Sequence, residues 1–382
     1  MYRRKLTLIL IQFLILTASV MAQSKPAAQV QATAPDGLSA TEFSRLIREL
    51  SEPGGSFHSD NLVSNETSFL HITDKLKQLS APGGAYIGVG PEQNFTYIAR
   101  VRPRIAFIID IRHQAAIQHL MFKAIFHLAP DRVQFLSRLL SRPLVKGKAP
   151  GTTAQITEVL DYLNSTPVDE KFHAATLAEI SRMIQKDFQY QLSEAEQKDL
   201  QYLFDSFRDN GLEITYQTRY GYQRSYFPTM KDLILQTDLH GKYGHFLTSN
   251  EDYEFVRNMQ LKNLIVPVTG DFAGDKAFAA VGDYLRKKGL TVSAFYTSNV
   301  EQYLFQNRVF EAFVSNVRKL PINDRSLFIR AAVARGGHPA GLPGHRLTTL
   351  LQRVTVFLND FAEGRYPSYW SLVTTNYIAA DQ

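Results

Sequence analysis

Apolar runs alternate with helical patterns in the first third of the chain. Ala85-Tyr-Ile-Gly-Val-Gly90 predicts a short strand that runs into two glycines, and the segment 92–100 predicts a helix that begins behind Pro91. The run 104–110 is continuously apolar up to Asp110, which is typical of a strand buried on both faces, and the spacing in 113–128 predicts a second helix. This alternation indicates a parallel α/β sheet.

The alternation returns in the second half of the chain. There we expect strands at 263–270, 291–296, 326–333 and near 369–374, and helices at 276–288 and 348–361. Two further helices are expected before the first strand, at 43–50 and 69–79, each ended by a Pro-Gly-Gly turn. The fold class is therefore α/β, with one Rossmann-like, mostly parallel sheet domain over 39–382.

The segment 130–226 interrupts this pattern with polar, helical sequence. Ser193 and Glu196 form the signature of a capping box, and Gly211 fits the position after the helix that starts there. We interpret the segment as a helical insertion in the sheet domain, which serves either as a lid or as a structural outer layer.

The N-terminus has the three parts of a secretory signal. Arg3, Arg4 and Lys5 precede the apolar run 6–16, and Val20-Met21-Ala22 ends in small residues. We expect residues 1–22 to be a signal peptide that is removed on export to the periplasm or beyond, with a retained anchor as the alternative. Residues 23–38 are small and polar with scattered proline, which indicates a flexible leader.

Composition excludes several classes of site and partner. The chain has no cysteine, so disulfides, thiolate zinc sites, iron–sulfur clusters and lipoprotein anchoring are excluded. Without the three signal cations, the formal net charge of +6 falls to about +3, which does not call for a nucleic acid partner. No later segment predicts a membrane span, so none is expected after signal cleavage. The sequence leaves the oligomeric state open.

The glycine turn and the acid after it are the first candidate site. Glycines such as Gly88 and Gly90 let a ligand approach the backbone closely, and Asp110, about 20 residues on, could accept hydrogen bonds from ribose hydroxyls. Gln93 stands where a third glycine would complete a dinucleotide fingerprint, which weakens binding of NAD or FAD. The alternative is a tight strand–helix turn beside a surface acid. Because an acid at a strand end is not a core residue, replacing Asp110 in the ligand site is expected to change stability little.

Four segments resemble an uncharacterised bacterial family with the Rossmann-like fold of S-adenosylmethionine-dependent methyltransferases. They are Tyr86-Ile-Gly-Val-Gly-Pro-Glu-Gln-Asn-Phe95, Ile108-Ile-Asp-Ile-Arg112, Val268-Thr-Gly-Asp-Phe272 and Tyr296-Thr-Ser-Asn-Val-Glu-Gln-Tyr-Leu304. The resemblance implies S-adenosylmethionine as cofactor. It also implies a pocket lined by Gly88, Gly90 and Asp110, with Gly270 and Asp271 on the same rim.

Two weaker candidates follow the later strands. Asn299 could orient a substrate and Glu301 could act as a base, although an asparagine-capped helix start explains the same residues. His338 and His345 lie in a glycine-rich loop that could bind metal but is more simply a connection. The zinc-protease, nucleophile-elbow and Walker motifs are absent, and no metal is expected.

Two functions from different classes remain open at the level of sequence. One is an exported methyltransferase-like enzyme, whose chemistry needs positioning more than a strong acid or base. The other is an exported binding or structural protein on a degenerate Rossmann scaffold. Fold alone does not choose between them. Export counts against the enzyme because S-adenosylmethionine is made in the cytosol, whereas the retained glycine turn and Asp110 count for ligand binding.

Overall fold

The computed structural model describes residues 36–216, 227–333 and 337–380, and a six-stranded sheet lies at their centre. Its strands are β1 (Ala85–Gly88), β2 (Ile105–Asp110), β3 (Ile265–Thr269), β4 (Val292–Ser298), β5 (Leu327–Val333) and β6 (Leu347–Arg353). They are ordered β3-β2-β1-β4-β5-β6, and only β6 is antiparallel to its neighbour. The mixed α/β fold class is confirmed.

The chain reverses its direction of travel across the sheet between β1 and β4. From β1 it moves outward through β2 to β3, and it then returns to pair β4 with the other side of β1. The strands β1 to β4 are parallel, so their carboxyl ends meet at one edge, where Gly88 lies beside Ile108 and Asp110 beside Thr269. Ligands of open α/β sheets bind at such a reversal.

Fifteen α-helices lie in the described residues around the sheet. They are α1 (Ala40–Leu50), α2 (Thr73–Leu79), α3 (Gln93–Val101), α4 (His113–Leu128), α5 (Arg132–Leu139), α6 (Ile156–Ser165), α7 (Glu170–Arg182), α8 (Glu194–Asn210), α9 (Met230–Ile234), α10 (Asn250–Leu261), α11 (Ala277–Lys287), α12 (Val300–Gln306), α13 (Phe310–Arg318), α14 (Val354–Ala362) and α15 (Tyr369–Thr374). The middle of α4 is buried on every side, because β2 and β3, α8 and α10 all pack against it.

The described part of the predicted insertion, residues 130–216, contains α5 to α8, a π-helix at Met183–Asp187 and a 3-10 turn at Gly211–Glu213. The capping box of Ser193 and Glu196 starts α8, and Gly211 caps its end with a φ of 54°. No strand lies within 130–216. An isolated β-bridge joins Thr215, near the end of this segment, to Thr229 beyond it. Residues 217–226 of the predicted insertion lie outside the described residues.

Two predictions near the C-terminus are wrong. The expected helix 348–361 begins instead with β6, which pairs with β5 from Leu327↔Arg353 to Val333↔Leu347, and only then continues as α14. No Gly or Pro separates the two elements, so the sequence shows no break. The expected strand near 369–374 is α15, where Ser368 and Ser371 form a capping box that the aromatic residues after it obscure.

The predicted signal peptide, residues 1–22, and most of the predicted leader lie outside the described residues. At the end of the leader Leu38 is already packed, since its backbone N–H donates to Lys262 O and its carbonyl accepts from Asn263 Nδ2. None of the helices in the described part of the chain has the length and apolar character needed to cross a membrane.

Candidate functional site

A cavity of about 590 Å³ opens at the carboxyl edge of the sheet, beside the reversal between β1 and β4. Its walls come from the residues after β1, β2 and β3, from α12, and from the segment between α1 and the first strand. They are Ser56, Phe57, His58, Asn61, Val89, Asp110, Ile111, Arg112, Gly270, Asp271, Phe272, Val300, Tyr303, Leu304, Asn307 and Val309. This volume lies within the range of small-molecule and cofactor sites.

Gly88 and Gly90 have different roles in the turn after β1. A Cβ on Gly88 would lie 1.9 Å from Asn94 Oδ1, so Gly88 makes room for an internal side chain. Gly90 has a φ of 79°, and a Cβ there would meet nothing within 4 Å. Val89, between them, lines the cavity. Gly90 is buried with space beside its Cα, and its positive φ requires glycine.

Two buried side chains, Asn94 and His119, donate hydrogen bonds to the backbone of the glycine turn. Asn94 Nδ2 donates to the carbonyl oxygens of Val89, Gly90 and Pro91 at 2.8–3.2 Å. His119 Nε2 donates to Gly90 O at 2.9 Å, which leaves the proton off Nδ1, and burial lowers the pKa of His119 to about 4. The ring is therefore neutral, and these contacts fix the conformation of the turn.

Gln93 occupies the position of the missing third glycine, and its buried side chain makes hydrogen bonds within the protein. Its Oε1 accepts from Ser64 Oγ, while its Nε2 donates to Glu66 Oε2 at 2.9 Å and to Tyr296 Oη at 3.1 Å. Glu66 also accepts from Ser298 Oγ, and burial raises the pKa of this carboxyl. The departure from the dinucleotide fingerprint thus serves a buried polar network beneath the turn.

Asp110 lies at the carboxyl end of β2 and lines the cavity, as expected, but it is already paired. Its Oδ1 accepts from the backbone N–H and Nε of Arg112, at 2.9 and 3.2 Å, and its Oδ2 accepts from Arg112 Nη2 at 2.8 Å. Both residues are buried. Asp110 is thus not the surface acid of the alternative, and its removal, which would leave a buried cation without its counter-charge, is now expected to lower stability.

Gly270 and Asp271 lie on the same rim, as the resemblance implied. A Cβ on Gly270 would lie 2.4 Å from the Cβ of Ala277, so this glycine lets the loop after β3 pack closely on α11. Asp271 is half-buried and its Oδ1 accepts from Ala273 N at 2.9 Å. Glu52 holds the loop from outside, since its carboxylate accepts from the N–H groups of Asp271 and Lys276.

The segment 52–61, called the strap, contributes Ser56, Phe57, His58 and Asn61 to the cavity wall. It is fixed on one side because Glu52 N donates to Thr269 O and Gly55 N donates to Ile111 O, at 3.0 and 2.8 Å. On the other side the Phe57 ring packs edge-on against Tyr303 of α12, with centroids 5.3 Å apart, and His58 stacks beside both. Three rings therefore form one wall of the cavity.

Asn299 and Glu301 do not line the cavity. Asn299 takes the N-cap position of α12, although its side chain makes no capping hydrogen bond. Glu301 is buried, accepts from Arg330 Nε at 2.8–2.9 Å, and has its pKa raised by burial against the opposing effect of Arg330. Tyr303, one turn beyond Asn299, is the α12 side chain with a polar group at the cavity.

The two histidines of the glycine-rich loop bind to separate parts of the fold. His338 is buried and its Nε2 donates to Val373 O at 3.0 Å, whereas His345 Nδ1 lies 2.8 Å from Thr67 Oγ1. Within the described ranges no group of three or more His, Asp or Glu side chains could hold a metal ion.

Sequence reasoning missed Arg112 and the strap. Arg112 stands two residues after Asp110 in the printed sequence, a spacing that could have suggested an ion pair, but the direction of its side chain is a tertiary property. Pro53-Gly54-Gly55 signalled only the end of α1. A Cβ on Gly55 would lie 2.8 Å from Ile111, and this close approach is invisible without the fold.

Comparison with known proteins places the chain in a family. The family model described as "Domain of unknown function (DUF7790)" matches residues 61–143 and 159–374, which is most of the chain, and the protein therefore belongs to this family. The matched residues include Gly88, Gly90, Asp110, Gly270 and Asp271. No curated protein shows significant similarity to the chain.

Proposed function

We propose that this DUF7790 protein binds S-adenosylmethionine or a related nucleoside in the cavity at the sheet edge, as an exported methyltransferase-like protein. The observation that carries the proposal is that Val89 of the glycine turn and Asp110, separated by a helix in sequence, line one cavity beside the β1–β4 reversal. Strand order 3-2-1-4-5-6 is the order of nucleotide-binding α/β sheets, which supports a Rossmann-type assignment.

The residues present fit such a ligand in three respects. The glycine turn reaches the cavity through Val89, and Asp110 offers an acceptor for ribose. Phe57, His58 and Tyr303 supply ring surface for a planar base. Arg112 neutralises Asp110, so Asp271 leaves the wall with an excess negative charge, which favours a sulfonium cation.

When bound, S-adenosylmethionine would supply the methyl group for in-line displacement. The chain's own part in that chemistry is positioning: Val89 of the glycine turn and the lining residues of the strap would hold the ligand in one orientation. Tyr303, which lines the same cavity as Asp110 and Asp271, carries a hydroxyl that could orient a methyl acceptor.

A binding protein without catalysis is the second candidate, and a specific observation favours it. Glu301, the base suggested by sequence, is held in a buried ion pair with Arg330, and Asp110 is held by Arg112. Each carboxylate is thus engaged by an arginine, and Glu301 does not line the cavity. A protein with this arrangement could retain the ligand site and do no chemistry on it.

The site assignment is tested with a matched pair of glycine substitutions. Gly90→Ala and Gly364→Ala both place a methyl group at a positive φ, 79° and 73°, with nothing within 4 Å. Each should cost about 1 kcal/mol of stability from backbone strain. We expect only Gly90→Ala to weaken binding of S-adenosylhomocysteine, by tenfold or more in a calorimetric titration. Equal affinity of the two variants would contradict the site.

A further inference from the structure

The ion pair at the end of β2 leaves a defined set of hydrogen-bonding positions. A carboxylate accepts about four hydrogen bonds. Oδ1 of Asp110 already accepts two, from the backbone N–H and Nε of Arg112, and Oδ2 accepts one from Nη2. Among the contacts of the described residues, Asp110 therefore keeps one acceptor position, on Oδ2. It cannot accept from both hydroxyls of a ribose while this pair is intact.

Arg112 keeps donors at the same place. A guanidinium has five N–H donors. Nε and one Nη2 hydrogen bind Asp110, and one Nη1 hydrogen binds the carbonyl oxygen of Asp60 in the strap. In the part of the chain that the structure describes, two donors remain, one on each terminal nitrogen. Both side chains line the cavity.

Asp110 and Arg112 together thus present one acceptor and two donors to the cavity, and the ion pair carries no net charge. A hydroxyl group can donate and accept, so two adjacent hydroxyls match this set when one donates and the other accepts. A phosphate does not match it, because the anion would face Asp110 and also Asp271 on the same wall.

We infer that Asp110 and Arg112 together read a vicinal diol, one hydroxyl donating to Asp110 Oδ2 and the other accepting from Arg112. Arg112 is then a specificity-determining residue that selects a ribose over a deoxyribose. The inference deepens the proposed function and rests on it, since the ribose belongs to the nucleoside ligand. It also assigns Asp60, which binds Arg112, to the support of the site.

The test measures the affinities of adenosine, 2′-deoxyadenosine and 3′-deoxyadenosine for three proteins. They are the wild type, Arg112→Gln and Arg330→Gln, the last of which breaks a similarly buried ion pair outside the cavity. In the wild type each missing hydroxyl should weaken binding about tenfold, the effect of one lost hydrogen bond to a charged group. Arg112→Gln should erase this loss for one deoxynucleoside and leave it for the other. Arg330→Gln should leave both losses unchanged.

Three results would overturn the inference. Arg112→Gln could weaken all three ligands by the same factor, which a merely structural role predicts. The wild type could bind adenosine and both deoxynucleosides equally, so that the diol is not read while the proposed function stands. Adenosine 3′-monophosphate could bind more tightly than adenosine, which would indicate an anion site.

Two further arms keep the test decisive. If Arg112→Gln does not fold, 2′-O-methyl- and 3′-O-methyladenosine are titrated into the wild type, because a methylated oxygen accepts but cannot donate. One of the two should then keep most of the affinity, and loss of both would contradict the inference. If neither adenosine nor S-adenosylmethionine binds at millimolar concentration, the proposed function fails, and the inference fails with it.

Discussion

Replacing Lys123 with methionine is expected to stabilise the protein at neutral pH. Lys123 is buried in the middle of α4, where its Nζ contacts the carbonyl oxygen of Gln260 and lies 4.8 Å from the ring centroids of both Phe43 and Phe188. Burial lowers the pKa of Lys123 from 10.5 to about 7. Methionine keeps the length of the side chain and removes the charge.

The sign of the effect follows from which form of the lysine the folded protein favours. Because the folded pKa lies below the unfolded one, folding expels a proton between about pH 7 and 10.5, and stability rises with pH across that window. Below pH 7 the lysine is charged in both the folded and the unfolded protein, so the folded protein bears the full cost of burying the charge. The fall in pKa corresponds to roughly 5 kcal/mol. Cation–π contacts with the rings of Phe43 and Phe188 stabilise the charged lysine by about 1 kcal/mol each. The net cost of burying the charge is therefore about 3 kcal/mol.

The assay is urea denaturation of wild type and Lys123→Met at several values between pH 6 and 9.5. The variant should be more stable at pH 7, by about 3 kcal/mol, and its advantage should shrink by roughly 2 kcal/mol by pH 9. The difference between the two proteins reports mainly Lys123, because its neighbour His127, whose pKa is lowered to about 4 by burial and by the lysine charge, titrates below the assay range in the wild type. Lys198→Met, at an exposed position of α8, is the control and should change stability little at any pH.

Parallel pH profiles for wild type and Lys123→Met would refute this reasoning. They would mean that the lysine stays charged in the folded protein across the whole range. A variant less stable than wild type at pH 7 would mean that the aromatic faces and the Gln260 carbonyl outweigh the desolvation of the cation.

Three other predictions follow from the same structure and sequence. Asp110→Ala should destabilise the protein by about 3–5 kcal/mol in urea denaturation, because Arg112 loses its buried partner. Asp271→Ala removes a half-buried acid of the same rim and should cost far less stability. Similar losses in the two variants would contradict the role given to the ion pair of Asp110 and Arg112. N-terminal sequencing of protein from the cell envelope should begin at Gln23, and an intact Met1 in a cytosolic pool would sink the export prediction. Limited trypsin digestion should cut first within 130–226, for instance at the exposed Lys146 or Lys148, and first cuts inside the sheet would count against the insertion.

Most strands of the sheet could be predicted from the sequence because they are buried on both faces. β2 is a continuous apolar run whose six residues are all buried, and such a run has few alternatives. The predicted bounds of α4, 113–128, are confirmed, since a polar turn and a proline frame the helix. β6 was missed because its identity depends on pairing with β5, which is distant in sequence and leaves no local mark.

The candidate site was partly accessible for a related reason. Residues after strand ends must gather at one edge of a parallel sheet, so the glycine turn, Asp110, Gly270 and Asp271 could be placed together from the strand pattern alone. The state of each side chain could not. Whether Asp110 is free or held by Arg112 depends on the strap and on burial, which only the packed fold defines.

The most direct test of the account is a calorimetric titration of the mature wild-type protein with S-adenosylmethionine and, separately, with S-adenosylhomocysteine. The account predicts saturable binding of one ligand per chain, with competition between the two compounds. Absence of binding by either compound at millimolar concentration would contradict it.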